Sequence, residues 1–261
     1  MEFEKWEACG NDFIVIEREV SAEVAERLCN RHYGIGADGV LEVLQSEEAD
    51  CKMIVVNADG SVAEMCGNGI RCVGQYVSEK LGKPEVRVET GAGLKRVVIG
   101  EANERIRVQM GEAKLKWTKE VAVPGGRIVY RNASFVDMGN PHCVLIVDEE
   151  ETQKGAIERY GRKIEKMTEL FPEGTNVEYV VVQGGDRLRV RVWERGCGRT
   201  LACGTGACAS AYAAYKQGLV SERVTVELDG GEVEVKLSAG VEMTGPAHRV
   251  YRGKIDLPGG V

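Results

Sequence analysis

The most constraining feature of this sequence is a short pattern that occurs twice. Met65-Cys66-Gly67-Asn68-Gly69 and Ala202-Cys203-Gly204-Thr205-Gly206 each place a cysteine directly before a G-x-G, and each runs into a segment that predicts a buried helix. The second of these helices, over 207–216, carries small or apolar residues almost all round, which is typical of a helix without a solvent face. The strands of each half are therefore expected to wrap around such a helix.

Further landmarks repeat at nearly the same spacing. Cys66 and Cys203 are 137 residues apart, and the same spacing separates Asn57 from Glu194, each nine residues before its cysteine. Offsets between 129 and 138 residues also relate Gly10-Asn11 to Gly139-Asn140, Gly82 to Gly218, Val86–Glu89 to Val224–Glu227, and Met110-Gly111 to Thr244-Gly245. These near-constant offsets predict an internal duplication, with an N-terminal half over 1–110 and a C-terminal half over 111–247.

Hydrophobic periodicity and turn residues predict α/β halves. Helices are expected over 22–30, with Ser21 as the N-cap, and over 70–81, 154–168 and 207–216. Strands are expected over 3–8, 13–16, 40–44, 51–56, 85–89, 94–99, 105–110, 143–147, 188–193, 223–228 and 233–237, and residues 111–135 are expected to be mainly extended. Residues 34–39 match G-x-G-x-x-G, but a helix precedes them and a strand follows. Because a dinucleotide site needs the opposite order, we interpret this segment as a glycine-rich turn.

Composition narrows the function classes. A net charge of −7 argues against a partner that is a nucleic acid or an anionic membrane. Neither an export signal nor a membrane-spanning stretch is evident, and an odd number of cysteines, nine, predicts reduced thiols in the cytoplasm. The cysteine spacings include no C-x₂-C and only three histidines are present, so no metal site is expected.

The repeated pattern suits one kind of chemistry. A helix N-terminus favours a thiolate and binds anions through unpaired N–H groups. If the halves pack about a pseudo-two-fold axis, two thiols flank one cleft in which the N–H groups of Gly67, Asn68, Gly204 and Thr205 hold a carboxylate. One thiolate could then remove the α-proton and one thiol could return it from the other face. The other seven cysteines are expected to be small buried hydrophobic residues: Cys9, Cys29, Cys51, Cys72, Cys143, Cys197 and Cys208.

With these motifs in order, the chain resembles the diaminopimelate epimerase family over nearly its whole length. The resemblance is carried by Gly10–Phe13, Asn57–Ser61, Cys66–Gly69, Gly139–His142 and Glu194–Gly206. It implies a cofactor-independent, two-base epimerase that interconverts LL- and meso-2,6-diaminopimelate in lysine and cell-wall precursor synthesis. It also implies a mixed α/β (α+β) fold with two pseudo-symmetric domains, each a mostly antiparallel sheet around a central buried helix, with residues 248–261 returning to the first domain, and a homodimer.

The resemblance also implies roles for individual residues. Cys66 and Cys203 would be the catalytic pair, while His142 and Glu194 would tune the pKa values of the thiols. The substrate-binding residues would be Asn11, Asn57, Gly67, Asn68, Asn140, Asn176, Glu194, Arg195, Gly204 and Thr205.

Two departures from the family pattern and two alternatives remain at this point. Gly39 stands where many members have a glutamine that can contact substrate, and the opening Trp6–Cys9 differs from the usual residues. A proline racemase or hydroxyproline epimerase is the nearest alternative, although its first motif typically has histidine where Asn68 stands. A thiol redox or metal-binding protein is the alternative from another class.

Overall fold

The computed structural model describes residues 1–100, 105–125, 128–152 and 155–256. The chain divides into two compact units. Unit 1 combines residues 1–108 with the segment that begins at Gly245, and unit 2 comprises residues 109–244. Of the expected C-terminal return over 248–261, the part up to residue 256 lies in unit 1, and residues 257–261 lie outside the described residues.

Both units consist of strands with few helices, as expected for a mixed α+β fold. The strands are β1 (Glu2–Ala8), β2 (Asn11–Ile16), β3 (Gly39–Leu44), β4 (Cys51–Asn57), β5 (Val62–Ala63), β6 (Glu85–Thr90), β7 (Gly93–Ile99), β8 (Ile106–Gly111), β9 (Lys114–Ala122), β10 (Val129–Asp137), β11 (Pro141–Ile146), β12 (Asn176–Gly184), β13 (Arg187–Glu194), β14 (Gly198–Thr200), β15 (Arg223–Leu228), β16 (Gly231–Lys236), β17 (Val241–Gly245) and β18 (His248–Lys254). The α-helices are α1 (Ala22–Cys29), α2 (Gly67–Leu81), α3 (Ala156–Glu165) and α4 (Gly204–Lys216).

The two units follow the same order of strand pairing. In unit 1, β1 pairs with β2 antiparallel, β2 with β3 parallel, β3 with β4 antiparallel and β4 with β6 parallel. In unit 2, β10 pairs with β11, β11 with β12, β12 with β13 and β13 with β15 in the same four senses. Each unit adds one more antiparallel partner to its first strand, β18 to β1 and β9 to β10. This correspondence supports the proposed duplication.

The core of each unit is closed by a helix that has little contact with solvent. In α2 the buried residues include Ile70, Cys72 and Val73, and in α4 they include Ala207, Ala211 and Ala214. Because five of the nine buried residues of α4 are alanine, its backbone can approach the surrounding strands closely. The start of each buried helix is thereby fixed by the packing of the whole unit.

The ends of the helices follow the local chemistry. Ser21 caps α1 as expected, its side chain accepting a hydrogen bond from the N–H of Val24. Gly82 ends α2 in the left-handed conformation, at φ 65°, which favours glycine. The predicted helix over 154–168 is observed as α3, and residue 154 lies outside the described residues.

The sequence placed the starts of the two buried helices too late. Both α2 and α4 begin three residues earlier than predicted, at Gly67 and Gly204, because the preceding cysteines act as their N-caps. Glycine has a low helix propensity, which is why the G-x-G segments were not expected to be helical. The sequence pattern predicted only mainly extended chain where β9 and most of β10 lie, and it did not single out β5, β12, β14, β17 or β18 as strands. No helix among the described residues is long and apolar enough to cross a membrane.

Candidate active site

Cys66 is the N-cap residue of α2. Its backbone is extended, with φ −133° and ψ 116°, and its sulfur accepts a hydrogen bond from the N–H of Gly69 at 3.3 Å. The side chain is half-buried. A sulfur in this position replaces the oxygen that Ser, Thr or Asp usually supplies, so one of the unpaired N–H groups of the helix start is directed at the thiol.

A network of amides surrounds this first thiol. The side-chain amide of Asn68 donates to Asn11 Oδ1 at 3.2 Å, and the same oxygen lies 4.0 Å from the sulfur of Cys66. The fully buried Arg71 donates to Asn68 Oδ1 at 3.0 Å and to the carbonyl oxygen of Gly67 at 3.1 Å. Arg71 therefore fixes which end of the Asn68 amide faces Asn11. Its Nε also donates to the carbonyl of Pro246 at 3.0 Å, which ties the helix start to the returning segment of unit 1.

Cys203 occupies the equivalent position in unit 2. It is the N-cap of α4, with φ −124° and ψ 113°, and its sulfur accepts from the N–H of Gly206 at 3.4 Å. Thr205 Oγ1 lies 3.4 Å from the same sulfur. Cys203 is 7% exposed and so is more buried than Cys66. The two half-sites thus share one backbone geometry but differ in burial.

The second glycine of each G-x-G permits this close approach. A Cβ on Gly206 would lie 3.3 Å from the sulfur of Cys203 and 2.7 Å from Oε1 of Glu178. A Cβ on Gly69 would lie 3.3 Å from the Cβ of Cys66 and 2.9 Å from the side chain of Leu41. Glycine fits at this step because a Cβ would press on Glu178 or Leu41 and would also crowd the cysteine.

A chain of side chains extends from Cys203 into the core of unit 2. Asn140 donates to Thr205 Oγ1 at 3.3 Å, and Asn140 Oδ1 lies 2.9 Å from Nε2 of His142. Nδ1 of His142 lies 2.7 Å from Oε1 of Glu178, and both side chains are fully buried. His142 is therefore connected to the thiol through Asn140 and Thr205, rather than by direct contact.

Glu194 is the acidic neighbour of Cys203. It accepts a hydrogen bond from Thr200 Oγ1 at 2.5 Å and shares a hydrogen bond with the Cys203 side chain. Burial raises the pKa of Glu194, and the charge of Glu178 raises it further. Burial also raises the pKa of the Cys203 thiol well above its ordinary value, with the charges of Glu194 and Glu178 adding to this effect. Burial and these two carboxylates therefore favour the thiol form of Cys203 over the thiolate.

The remaining predicted binding residues are held by local hydrogen bonds. Asn57 donates to Ser61 Oγ at 3.0 Å within its own turn. Asn176 uses both ends of its amide, donating to the carbonyl of Pro141 at 3.0 Å and accepting from the N–H of Arg195 at 2.9 Å. Asn176 therefore anchors the exposed Arg195 next to Glu194.

The departures from the family pattern have structural correlates. A Cβ on Gly39 would lie 2.8 Å from the carbonyl oxygen of Val56, so a glutamine there would require the backbone of β4 to move. Trp6 is buried in β1, and its Nε1 donates to Glu4 at 2.8 Å. Cys9 has a positive φ of 54° and is buried, and it accepts from Arg71 at 3.5 Å. Most of the Trp6–Cys9 segment is thus strand, not entrance loop.

Two buried charged residues were not identified from sequence. Arg71 stands in the apolar stretch Gly69–Val73, and Glu178 stands in the run Val177–Val182. A charged residue within an otherwise buried element needs a specific partner, and that rule could have found both.

The potential metal ligands of the chain include its nine cysteines. No group of three or more His, Cys, Asp or Glu side chains able to hold a metal ion occurs within the described part of the chain. None of the nine cysteines forms a disulfide bond. Cys197 was expected to be buried, and this was wrong, because it lies exposed in the turn that follows β13.

Comparison with known proteins gives a consistent assignment. A family model described as diaminopimelate epimerase matches residues 3–116 and 134–250. The diaminopimelate epimerase of Desulfitobacterium hafniense is 42% identical over 97% of this chain and 97% of its own length. That of Clostridium perfringens is 42% identical over 97% of this chain and 98% of its own.

Solved structures with low sequence identity share the fold. A probable proline racemase from Agrobacterium radiobacter has a TM-score of 0.75 at 17% identity, covering 98% of this chain and 93% of its own. A hydroxyproline epimerase from Agrobacterium vitis has a TM-score of 0.73 at 16% identity, covering 97% and 91%. These likenesses confirm the expected fold class of two pseudo-symmetric α+β domains. The family model matches most of the chain, and full-length relatives are about 42% identical to it. The two thiol-capped helix starts have equivalent geometry. The chain therefore belongs to the diaminopimelate epimerase family of isomerases.

Proposed function

We propose that this protein interconverts LL- and meso-2,6-diaminopimelate, with Cys66 and Cys203 as the two bases. The observation that carries the proposal is the shared geometry of the two helix starts. Each thiol caps its helix and accepts a hydrogen bond from the N–H three residues later, at 3.3 Å for Cys66 and 3.4 Å for Cys203. Membership of the family supports the same substrate.

The first step removes the α-proton of the substrate. One sulfur, as thiolate, takes the proton, and the electron pair of the C–H bond passes into the adjacent carboxylate as an enediolate. Because the first N–H groups of a helix have no intrahelical acceptor, those of Gly67, Asn68, Gly204 and Thr205 are suited to binding that carboxylate as its charge grows.

The second step returns a proton to the opposite face of the carbon. The other sulfur, as thiol, donates its proton, so the configuration inverts and the charge states of the two cysteines exchange. The raised pKa of Cys203 favours the thiol form there, and in the direction that begins from this form Cys66 would be the base. His142 and Glu194 influence this balance, as the geometry around Cys203 supports.

The remaining roles complete the proposal. Asn11, Asn57, Asn140, Asn176, Glu194 and Arg195 would bind the distal amino and carboxylate groups, and their positions at the ends of β-strands support this. The reaction would need no cofactor and no metal, since the two thiols and the N–H groups supply acid, base and charge stabilisation. Its place would be lysine and cell-wall precursor synthesis, in the cytoplasm, where nine free cysteines stay reduced.

A homodimer is also proposed. Strand β18 pairs with β1 and presents large apolar side chains to solvent, with Val250 57% and Tyr251 43% exposed. Exposed apolar side chains on a strand at a sheet edge favour pairing with a second copy. Analytical ultracentrifugation of the wild type and of Tyr251→Glu tests this: the wild type should sediment as a dimer, and the variant should sediment as a monomer.

One assay decides the main proposal. In deuterated water, without added pyridoxal phosphate or metal, LL-diaminopimelate should convert to the meso form and gain deuterium at the α-carbon, while L-proline and trans-4-hydroxy-L-proline remain unchanged. Cys66→Ala and Cys203→Ala should each abolish the conversion. Full turnover by either variant would refute the two-base assignment, and turnover of proline alone would favour the racemase alternative.

A further inference from the structure

Glu178 has no place in the roles described so far, although it lies at the centre of the Cys203 half-site. It stands in β12 among Val177, Tyr179 and Val180, and its side chain is fully buried. Oε1 lies 2.7 Å from Nδ1 of His142, while Oε2 has no hydrogen-bond partner among the described residues. A buried carboxylate with one unpaired oxygen is costly for stability, so its retention calls for a compensating role.

The position of Glu178 determines the protonation of His142. A carboxylate accepts hydrogen bonds, so Nδ1 of His142 must carry a proton. Nε2 faces Asn140 Oδ1 at 2.9 Å, and because Asn140 turns its amide nitrogen toward Thr205, this contact also needs a proton on Nε2. The ring that satisfies both contacts is an imidazolium, with Glu178 as its counter-ion.

This charge pair sets the direction of the hydrogen bonds that lead to the thiol. His142 donates to Asn140 Oδ1, and Asn140 donates to Thr205 Oγ1. Thr205 has then used an acceptor position, and its own proton is free to point at the sulfur of Cys203, 3.4 Å away. Together with the N–H of Gly206, the sulfur receives two donors, which is the arrangement that stabilises a thiolate.

Charged groups from two neighbouring strands act on the ring of His142. Glu178 reaches it from β12 and Glu194 acts on it from β13, while the Cys203 sulfur lies at the start of α4. Cys143, the neighbour of His142 on β11, is fully buried beside Glu178 and is held as a thiol because burial raises its pKa. The imidazolium thus offsets two carboxylates near a sulfur that must alternate between thiol and thiolate.

We propose that Glu178 is a positioning residue for the reaction: by holding His142 as an imidazolium, it directs the Asn140–Thr205 hydrogen bonds toward the sulfur of Cys203. The inference rests on the proposed function for its catalytic consequence, but its structural content can be tested separately. A neutral His142 that accepts from Asn140 would reverse the chain, so that Thr205 no longer donates to the sulfur.

The first test is ¹⁵N NMR of protein labelled at histidine, at pH 7. The chain has only three histidines, and His32→Gln with His248→Gln, both exposed positions, leaves the signals of His142 alone. Both ring nitrogens should show the shifts of protonated nitrogens in the wild type, and one should lose its proton in Glu178→Gln. A neutral ring in the wild type overturns the proposal without any variant at Glu178.

The second test separates positioning from substrate contact. With LL-diaminopimelate, Glu178→Gln should lower kcat roughly tenfold or more, the range expected when a charge-assisted hydrogen bond is lost, and should leave KM unchanged. Glu169→Gln, at an exposed acid nearby in sequence, should match the wild type. An unchanged kcat in Glu178→Gln refutes the catalytic role. If the wild type does not turn over diaminopimelate at all, the proposed function fails, while the NMR result still decides the state of His142.

Discussion

Replacing Arg71 by methionine tests how strongly the start of α2 depends on one buried cation. The side chain is fully buried and donates to the carbonyl of Gly67, to Asn68 Oδ1 and to the carbonyl of Pro246, at 3.1, 3.0 and 3.0 Å. Methionine has a similar length but no donor, so all three hydrogen bonds of the guanidinium are lost. The carbonyl of Gly67 keeps the backbone hydrogen bond of the helix, so the cost falls mainly on Asn68 and Pro246, at about 1–3 kcal/mol each or about 4 kcal/mol together.

Methionine also avoids the cost of burying a charged guanidinium, which offsets part of this loss, so we expect Arg71→Met to lower the free energy of unfolding by about 2 kcal/mol. The assay is urea unfolding at pH 7, compared through midpoints at an unchanged m-value. The matched control is Arg249→Met in the same unit, where an arginine that is 33% exposed pairs with Glu79 at 2.7 Å. That exposed pair should contribute about 1 kcal/mol or less. Equal losses for the two variants would refute the reasoning that the buried contacts of Arg71 hold the helix start.

Three further predictions follow from the site and its surroundings. Gly206→Ala should reduce turnover by about a hundredfold, because its Cβ would lie 2.7 Å from Oε1 of Glu178 and 3.3 Å from the sulfur of Cys203, so both side chains would have to shift. Its unfolding midpoint should fall only slightly, since overpacking by about 1–3 kcal/mol is partly offset by the helix propensity of alanine. Wild-type turnover would contradict this. Glu194→Gln should lower the pKa of the Cys203 thiol by removing one of the charges that raise it. Alkylation of Cys203 by iodoacetamide, followed by mass spectrometry across pH, should then begin at lower pH than in the wild type. Alkylation that begins at higher pH would contradict this effect of Glu194 on the pKa. Although burial raises the pKa of Asp12, hydrogen bonds from Arg31 lower it to about 2. The contribution of Asp12 to stability is therefore present above pH ~4 and is lost as pH falls toward 2. After allowance for solvent screening this contribution is about 1 kcal/mol, so acid unfolding of Asp12→Asn should show a correspondingly flatter pH dependence than the wild type.

The sequence predicted the buried helices and the two thiols at their starts because a repeated motif leaves a pattern that can be counted. Cys66 and Cys203 were recognised because they occupy the same position in the two copies of the motif. The capping role of Ser21 was predicted from the preference of serine for the N-cap position. Local patterns carry this information because they involve residues close together in the chain.

What the sequence could not predict depends on contacts between distant residues. The hydrogen bond between His142 and Glu178 joins residues 36 apart in the chain, and the contact of Arg71 with Pro246 spans 175 residues. Likewise, only the packed structure shows that Gly39 lies against the backbone of β4. Burial identifies such residues after folding, but periodicity does not specify their partners.

The pairing of β18 with β1 has a consequence for the order of folding during synthesis. Synthesis of unit 2 is complete once residue 244 has been added. Unit 1 lacks the strand that covers the edge of β1 until residue 254 has been added. The half that is translated first is therefore the half that is completed last. During translation the edge of β1 stays open while 136 residues of unit 2 are added, and that exposed edge is the place where a nascent chain of this protein is most open to mispairing or to a chaperone.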